Sequence, residues 1–533
     1  MRFSQAFMTY RLPIVAGFLI GTSYIPLPPW AIFFGLVPLF VFWKDAITPK
    51  QAFIGGWVTQ FILNLIGFHW IAYTAIEFGH FPVWGGALTL IGFASVAHLY
   101  YALAGWFAVF ISRKFNLEAK WFVALGVLCF AILEEVFPMI FPWHLGYPWL
   151  WAGFPGAQFA DVIGFDGLNL VTLAANALLA YAVLYWKSNR RGHTYWFVGS
   201  AITLLIVINL LGIGREKPWL QTDAQLDVIA VQGNIGNFDK LLAEKGREFR
   251  KPIIEKYVTL SRQAMDKNPE AKLLIWPETA FPDYLDPEYV NDSPAVQVRF
   301  FIQKNKIPLL TGSYSYDPTL KETYNGFFFI DETGKVAGPP HRKSILLVFG
   351  ETFPFSEYLP YMDKLFPDLG SFGRGKGPMV MNIMVAGENI RIGPQVCYEG
   401  LYPWFSAGLS KLGAQILTNV TNDSWFGREF EPKQHLYMTL ARAIEFRRPL
   451  LRSTNTGITT AITASGEILS RSEVGEEWSG MFKIPYTKEP KHTFYEKIAG
   501  QWPWALAFLL VLLLAFGRAK RSGPPPQETN VPQ

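Results

Sequence analysis

Seven apolar segments in the first 214 residues constrain this chain more than any other feature. They fall at 12–25, 29–43, 52–74, 83–112, 120–138, 163–186 and 194–213, several of them near the ~20 residues an α-helix needs to cross a bilayer. The first two are short and are joined by a tight turn containing Pro26, Pro28 and Pro29. An eighth, W-P-W-A-L-A-F-L-L-V-L-L-L-A-F-G, occupies 502–517. One such segment alone reads as a buried core helix. Seven in a row read as a membrane bundle, because only 17% of the chain is charged against about 25% in soluble domains.

Short loops rich in Lys and Arg favour the cytoplasmic side. Arg2 and Arg11 precede the first segment. Lys44 and Lys50 follow the second, Arg113, Lys114 and Lys120 the fourth, Lys187, Arg190 and Arg191 the sixth, and Arg518, Lys520 and Arg521 the last. The intervening loops carry Glu77, or Asp161 and Asp166. Eight spans place every basic loop on one side, both termini in the cytoplasm and the block 215–500 outside. The division is 1–214 (bundle of seven spans), 215–500 (extracytoplasmic domain), 501–518 (final span) and 519–533, a tail with Pro524, Pro525 and Pro526 that reads as disordered. The net charge of +5 then reflects topology. No recognition helix or zinc-finger spacing accompanies it, which excludes a nucleic-acid partner. The first segment lacks a small-residue cleavage site and leads into another, unlike a signal peptide. Glu134 and Glu135, near the outer end of the fifth span, read as interfacial and solvated.

Between 226 and 484 the pattern becomes short β-branched and apolar runs punctuated by Gly, Pro and Asn. Strands are expected at 226–232, 272–276, 308–314, 326–331, 380–386, 390–396, 415–420, 449–453 and 459–464, with helices at 247–267, 295–305, 402–412 and 433–447. Strands in consecutive pairs with helices between them predict a layered α/β sandwich. This block holds one of only two cysteines, Cys397, in I-R-I-G-P-Q-V-C-Y-E-G at 390–400; the other, Cys129, lies in an apolar segment. An extracytoplasmic compartment favours disulfides, so a thiol without a partner is either hidden as a small hydrophobe or kept for its reactivity.

Polar clusters follow several expected strands, where α/β folds place their sites. They are W-P-E-T at 276–279, His341-Arg342-Lys343 with Phe349-Gly350-Glu351, Cys397-Tyr398-Glu399, and T-N-D-S-W-F at 421–426. Surface carboxylates and lysines are usually only solvated, but four such clusters beside a lone thiol make chemical sense together. A thiolate nucleophile needs a base or a nearby cation. Glu278 can take its proton, Lys343 can stabilise the oxyanion formed at a carbonyl, and Glu351 can hold Lys343 charged. The expected class is acyl transfer through a thioester. The histidines lack paired metal spacing, and neither metal nor cofactor is implied.

The ordered set W-P-E-T (276–279), K-x-x-L-L-V-F-G-E (343–351), V-C-Y-E (396–399) and N-D-S-W-F-G (422–427) resembles the nitrilase superfamily. With the apolar segments around it, nearly the whole chain resembles that superfamily's membrane-embedded branch, the bacterial apolipoprotein N-acyltransferases. The stretch from Ala441-Arg442-Ala443 to Arg452–Gly457 also matches. The resemblance implies an αββα sandwich on the periplasmic side of the inner membrane, with Glu278, Lys343 and Cys397 as catalytic triad and Glu351, Tyr398 and Glu399 in support. Tyr398 and Glu399 could hold the pocket rather than touch the acyl group. It implies a phospholipid acyl donor and, as acceptor, a diacylglyceryl-cysteine at an apolipoprotein N-terminus. Two departures stand out: Val348 replaces a proline of the family pattern, which should alter loop rigidity more than chemistry, and no tryptophan follows Q-G-N-I at 232–235, leaving Phe238 as a substitute lid contact. Two rivals compete with this reading. One is a membrane-tethered amidase that gives its acyl-enzyme to water; the other is a transporter or lipid-binding protein with an inactive domain.

Two further stretches stand out. G-S-F-G-R-G-K-G at 370–377 lacks the Ser/Thr of a phosphate loop, and Pro378 discourages the helix such a loop must open. Across 353–366, Phe355, Tyr358, Leu359, Met362, Leu365 and Phe366 recur at helical spacing. Such a stripe suits either a satellite core helix or an amphipathic arm in the bilayer interface that admits lipid chains to Cys397.

Overall fold

The computed structural model describes residues 2–77, 79–236, 239–240, 242–243, 246–286, 293–348, 350–352 and 372–518. The tail, Phe238 and the arm residues Phe355, Tyr358, Leu359, Met362 and Phe366 lie outside the described residues.

Three helical stretches of the N-terminal part are long and apolar enough to cross a membrane: Val83–Lys114, Pro155–Lys187 and Arg191–Trp219. A fourth results if Pro49–Gly67 and Trp70–Glu77, bent by 63°, form one span; Phe7–Gly21 and Trp502–Phe516 are shorter apolar helices. The segment expected at 29–43 is helical only over Val37–Asp45 and is preceded by turns, where closely spaced prolines disfavour helix. The segment expected at 52–74 breaks after Gly67. Inside a bilayer a broken helix needs protein partners for its freed polar groups, and Gln434 supplies them from the other half of the chain. Its Nε2 donates to the carbonyls of Gly67 (3.0 Å) and Ile25 (2.8 Å), and its Oε1 accepts from Trp70 Nε1 at 3.2 Å.

Glu134 is not solvated. It is 5% exposed and accepts hydrogen bonds from the Tyr100 hydroxyl (2.9 Å) and Asn169 Nδ2 (2.5 Å). Position along a span sets depth, but which side of the helix a residue occupies decides whether it meets solvent.

The C-terminal part is a two-sheet sandwich with helices on both outer faces. Its strands are β1 (Ala224–Gln232), β2 (Leu273–Ile275), β3 (Phe281–Tyr284), β4 (Leu309–Asp317), β5 (Glu322–Ile330), β6 (His341–Arg342), β7 (Met381–Val385), β8 (Glu388–Val396), β9 (Ile416–Thr421), β10 (Leu450–Thr454), β11 (Thr460–Ile462), β12 (Ile468–Arg471) and β13 (Trp478–Tyr486). One sheet runs β13-β1-β2-β4-β5-β6, with β3 beside β4; the other runs β12-β11-β10-β9-β8-β7. Strands alternate their faces with period two. Thus Phe327 and Phe329 join Ile392, Val396 and Leu417 in one core, while Phe328 and Ile330 join Ile254, Tyr257 and Phe301 under the helices Arg247–Lys267 and Ser293–Asn305. The first of these cores continues without interruption into the membrane bundle.

All nine strands expected from the sequence form. The four that sequence reasoning missed are β3, β6, β12 and β13. Gly480 and Pro485 break the pattern of β13, and its position at a sheet edge, antiparallel to β1, is where such residues are tolerated.

Candidate active site

Four of the polar clusters converge because the strands before them end together. Glu278 follows β2, Lys343 follows β6, Asn422 follows β9, and Cys397 opens a 3₁₀ turn, Cys397–Leu401, directly after β8. Parallel pairing of β8 with β9 and of β2 with β1 and β4 brings carboxyl-terminal strand ends to one edge.

Lys343 is 1% exposed and lies between two carboxylates. Its Nζ is 3.2 Å from Glu278 Oε1 and 2.9 and 2.8 Å from the two oxygens of Glu351. Burial alone would discharge this ammonium, but Glu278, then Glu351, then Cys397 hold its pKa well above the ordinary lysine value. Asn325 ties the carboxylates together: its Nδ2 donates to Glu278 Oε1 at 2.7 Å and to Glu351 Oε1 at 2.9 Å. The other oxygen of Glu278 accepts the Asn422 backbone N–H at 2.9 Å. The other oxygen of Glu351 accepts the Leu347 N–H at 2.9 Å, and Glu351 N returns a bond to Leu347 O at 2.8 Å. These bonds close the loop across Val348 without the proline.

Cys397 is 7% exposed and adopts φ 51°, a left-handed backbone that non-glycine residues take only where surroundings over-determine it. Two restraints are evident. Asn419 Nδ2 donates to Cys397 O at 3.1 Å, and the N–H of Val396 donates to Glu399 Oε2 at 2.8 Å. Burial pushes the Cys397 thiol well above its usual pKa and the negative charge of Glu278 pushes the same way; Lys343 and a hydrogen bond with Thr421 oppose them. The resting group is a thiol with a carboxylate and an ammonium beside it, an arrangement in which the proton has a place to go and the oxyanion a counter-charge.

Glu399 is fully buried, and all its acceptor capacity is turned inward. Besides Val396 it accepts His341 Nε2 (2.8 Å), Ser344 N (2.7 Å) and Ser344 Oγ (2.9 Å). Burial would raise its pKa, but His341 and the Ser344 and Val396 N–H groups outweigh that and hold it below the ordinary range. It clamps the turn that opens at Cys397 to the strand that precedes Lys343. The Tyr398 ring lies 5.4 Å from that of Tyr402, and burial raises its hydroxyl pKa well above the usual value.

Sequence reasoning missed Asn325, Asn419 and the pairing of His341 with Glu399. The sequence singles out the cluster at 421–426, but not the buried partners of its Asp423 beyond β9. There Asp423 Oδ2 meets Arg452 Nη2 at 2.8 Å and Asp423 Oδ1 meets His435 Nδ1 at 3.0 Å, with Glu431 at 3.4 Å from the same nitrogen. Asp423, Glu431 and His435 have metal-like spacing; the Arg452 guanidinium already pairs with Asp423, while burial and then the Asp423 charge push the Glu431 carboxyl up to about 7. Asn325 sits beside Thr323 and Tyr324 in T-Y-N-G-F-F-F-I at 323–330, and nothing in that run sets it apart.

Comparison with known proteins yields a consistent picture. Residues 16–178 match the model of the apolipoprotein N-acyltransferase N-terminal domain, and residues 230–480 match that of carbon-nitrogen hydrolases. The chain is 45% identical over 515 residues to an apolipoprotein N-acyltransferase of Bdellovibrio bacteriovorus, covering 96% of this chain and 93% of that protein. It is 28% identical over 525 residues to a protein of the same name from Geobacter metallireducens, covering 96% and 95%. Among solved structures, it is similar to a nitrilase-superfamily member of Saccharomyces cerevisiae at 16% identity and TM-score 0.38, covering 50% of this chain and 91% of that one.

Proposed function

The chain belongs to the apolipoprotein N-acyltransferase family, and from that premise we propose that it moves a fatty acyl chain from a membrane phospholipid, through a thioester on Cys397, to the α-amino group of a diacylglyceryl-cysteine. That the enzyme is an acyltransferase acting on lipoproteins follows from its membership. The donor, the intermediate and the residues are our reading. The observation that carries it is the buried Lys343 ammonium held between Glu278 and Glu351 beside the Cys397 thiol.

In the first half-reaction Glu278 takes the thiol proton as sulfur attacks the ester carbonyl. Lys343 faces the oxyanion, and collapse of the tetrahedral intermediate expels the lysophospholipid alkoxide, which recovers the proton from Glu278. In the second, the neutral α-amine attacks the thioester, and Glu278 removes a proton from the attacking nitrogen. As the tetrahedral intermediate collapses, Glu278 gives that proton to the departing thiolate, which restores the resting thiol and carboxylate. An α-amino pKa near 8 leaves enough neutral amine for this step. Glu351 keeps Lys343 charged and aimed; Tyr398 and Glu399 hold the turn. The reading includes eight spans, the division at 214, 500 and 518, a periplasmic catalytic domain with both termini cytoplasmic, and an arm from Phe355 to Phe366 that admits lipid.

The test is incubation of the purified full-length protein with phospholipid labelled in its acyl chain. A hydroxylamine-sensitive adduct is expected on the parent and is absent from Cys397→Ala and from Glu278→Gln. A label that persists in Cys397→Ala rejects the thioester.

A further inference from the structure

The turn that carries Cys397 is connected to a membrane helix through two fully buried charged residues that the chemistry above does not use. At Gly164 the backbone of Ala160–Lys187 leaves the helical path (φ 72°, ψ 173°). No side chain fits there, because a Cβ would lie 2.3 Å from the Tyr495 ring. The next residue, Phe165, sends its N–H out of the bundle to Glu445 Oε1 at 3.0 Å. Glu445 pairs with Arg442 on the same helix, Glu431–Phe446: Nη2 to Oε1 is 3.1 Å, and Nε lies 2.9 Å from Oε2, close but off the hydrogen-bond axis. Arg442 Nη1 then donates to Leu401 O at 3.1 Å, the last residue of the turn that Cys397 begins. Both charged residues are 0% exposed.

Neighbouring arginines do not make this connection. Arg447 reaches the bundle, at Asp161 and Gln158, but among the described residues no bond takes it to the turn Cys397–Leu401. Arg448, also 0% exposed, donates to the carbonyls of Ala414, Phe446 and Lys491, within the catalytic domain alone. A buried ion pair is often matched in stability by apolar residues of the same volume. Its presence between a helix kink and a catalytic turn is therefore better explained by geometry than by stability.

We infer that Arg442 and Glu445 are positioning residues that set the turn carrying Cys397 by the kink at Gly164 in a membrane helix. The nucleophile of this enzyme is held partly by its bundle, so bundle geometry reaches the thiol through three hydrogen-bonded steps. The inference rests on the reading of Cys397 as nucleophile.

The test uses full-length protein in dodecyl maltoside, with Cys129→Ala so that Cys397 is the only thiol and with hydroxylamine treatment to clear any acyl group. Alkylation by iodoacetamide is followed in Arg442→Lys, Glu445→Gln, the double variant and Arg448→Lys. Each single change along the link is expected to slow alkylation by about tenfold or more, since small misplacements near a reacting atom cost up to about 10²-fold. The double variant should be no slower than the slower single within about twofold, the mark of residues acting as one unit. Acyl-enzyme formation from phosphatidylethanolamine should lose rate with an unchanged KM. Arg448→Lys should lower Tm yet alkylate within about twofold of the parent. Alkylation at the parent rate in both Arg442→Lys and Glu445→Gln overturns the inference, and so does equal slowing in Arg448→Lys. A parent that is alkylated but never acylated rejects the proposed reaction and leaves the link standing.

Discussion

Cys129 and Cys397 are buried to nearly the same degree, 4% and 7% exposed, and the molecule treats them in opposite ways. Cys129 sits within the helix Phe122–Val136, packed in the continuous apolar core of the bundle. Cys397 sits where a strand turns into a 3₁₀ turn, with a left-handed backbone and with Glu278, Lys343 and Thr421 close enough to act on its proton. Burial alone therefore does not distinguish the two thiols. Position does: a strand end can face several other chain segments at once, whereas mid-helix the backbone polar groups are already spent on the helix.

The strongest way to break this contrast is to remove the proposed nucleophile. Cys397→Ala should abolish the labelled adduct and lower turnover by at least about 10⁴-fold, as loss of a nucleophile does elsewhere. Glu278→Gln comes next, with an expected loss of about 10²–10⁴-fold in acyl-enzyme formation for a missing general base. Its second readout runs the other way. Glu278 carries negative charge that raises the Cys397 pKa, after burial and against Lys343. Removing that charge favours the thiolate, so the pH at which iodoacetamide alkylation reaches half its maximum should move to lower pH while turnover collapses. A midpoint that stays in place or rises would separate Glu278 from the thiol's environment.

The same contrast explains what sequence could reveal. Cys397 and Glu278 could be picked out as candidates because each follows an apolar run; Lys343, preceded by Pro339, Pro340, His341 and Arg342, and Glu351 stood out through the ordered motif that contains both. The sandwich was legible because its central strands are apolar on both faces, as with Phe327–Ile330. Asn325 was not, since it is one of several polar residues in the first half of β5 and the pattern shows neither its face nor the two carboxylates it meets. The His341–Glu399 pair joins residues 58 positions apart, one in β6 and the other in the turn after β8, a contact set by how the two sheets pack. Glu134 was misread for a related reason: hydropathy gives its depth, but Tyr100 and Asn169 come from other helices. The link from Phe165 to Leu401 crosses from one half of the chain to the other and leaves no trace in local pattern.

Glu399→Gln sharpens the comparison at smaller cost, because Glu399 acts on the backbone around the thiol rather than on its proton. Loss of charge on an acceptor serving His341, Ser344 and Val396 should lower stability by about 1–3 kcal/mol and turnover by about tenfold. The pH dependence has a definite sign. The folded-state pKa of Glu399 is depressed, so its contribution is fully present above the unfolded value of about 4.3 and is lost as pH falls through the folded value. The Tm gap between parent and Glu399→Gln should be widest near neutral pH and should close on acidification below about pH 4. A gap that widens in acid would contradict the assignment of Glu399 as an ionised clamp.

The smallest expected effect belongs to Cys129→Ala. Trimming one sulfur from a packed helix leaves a void of about methylene size, which costs roughly 0.5–1.5 kcal/mol, and nothing polar is lost with it. Adduct yield and turnover should stay within about twofold of the parent, with only a modest fall in Tm. The variant tests the contrast from its quiet side, since Cys129 shares burial with Cys397 but not its carboxylate, its ammonium or its backbone. A tenfold fall in turnover with Tm nearly unchanged would mean that the bundle thiol also bears on the reaction, and equal burial would no longer conceal unequal roles. A fall in Tm with turnover intact would place reactivity where the strand ends meet, in the neighbours that Cys397 has and Cys129 lacks.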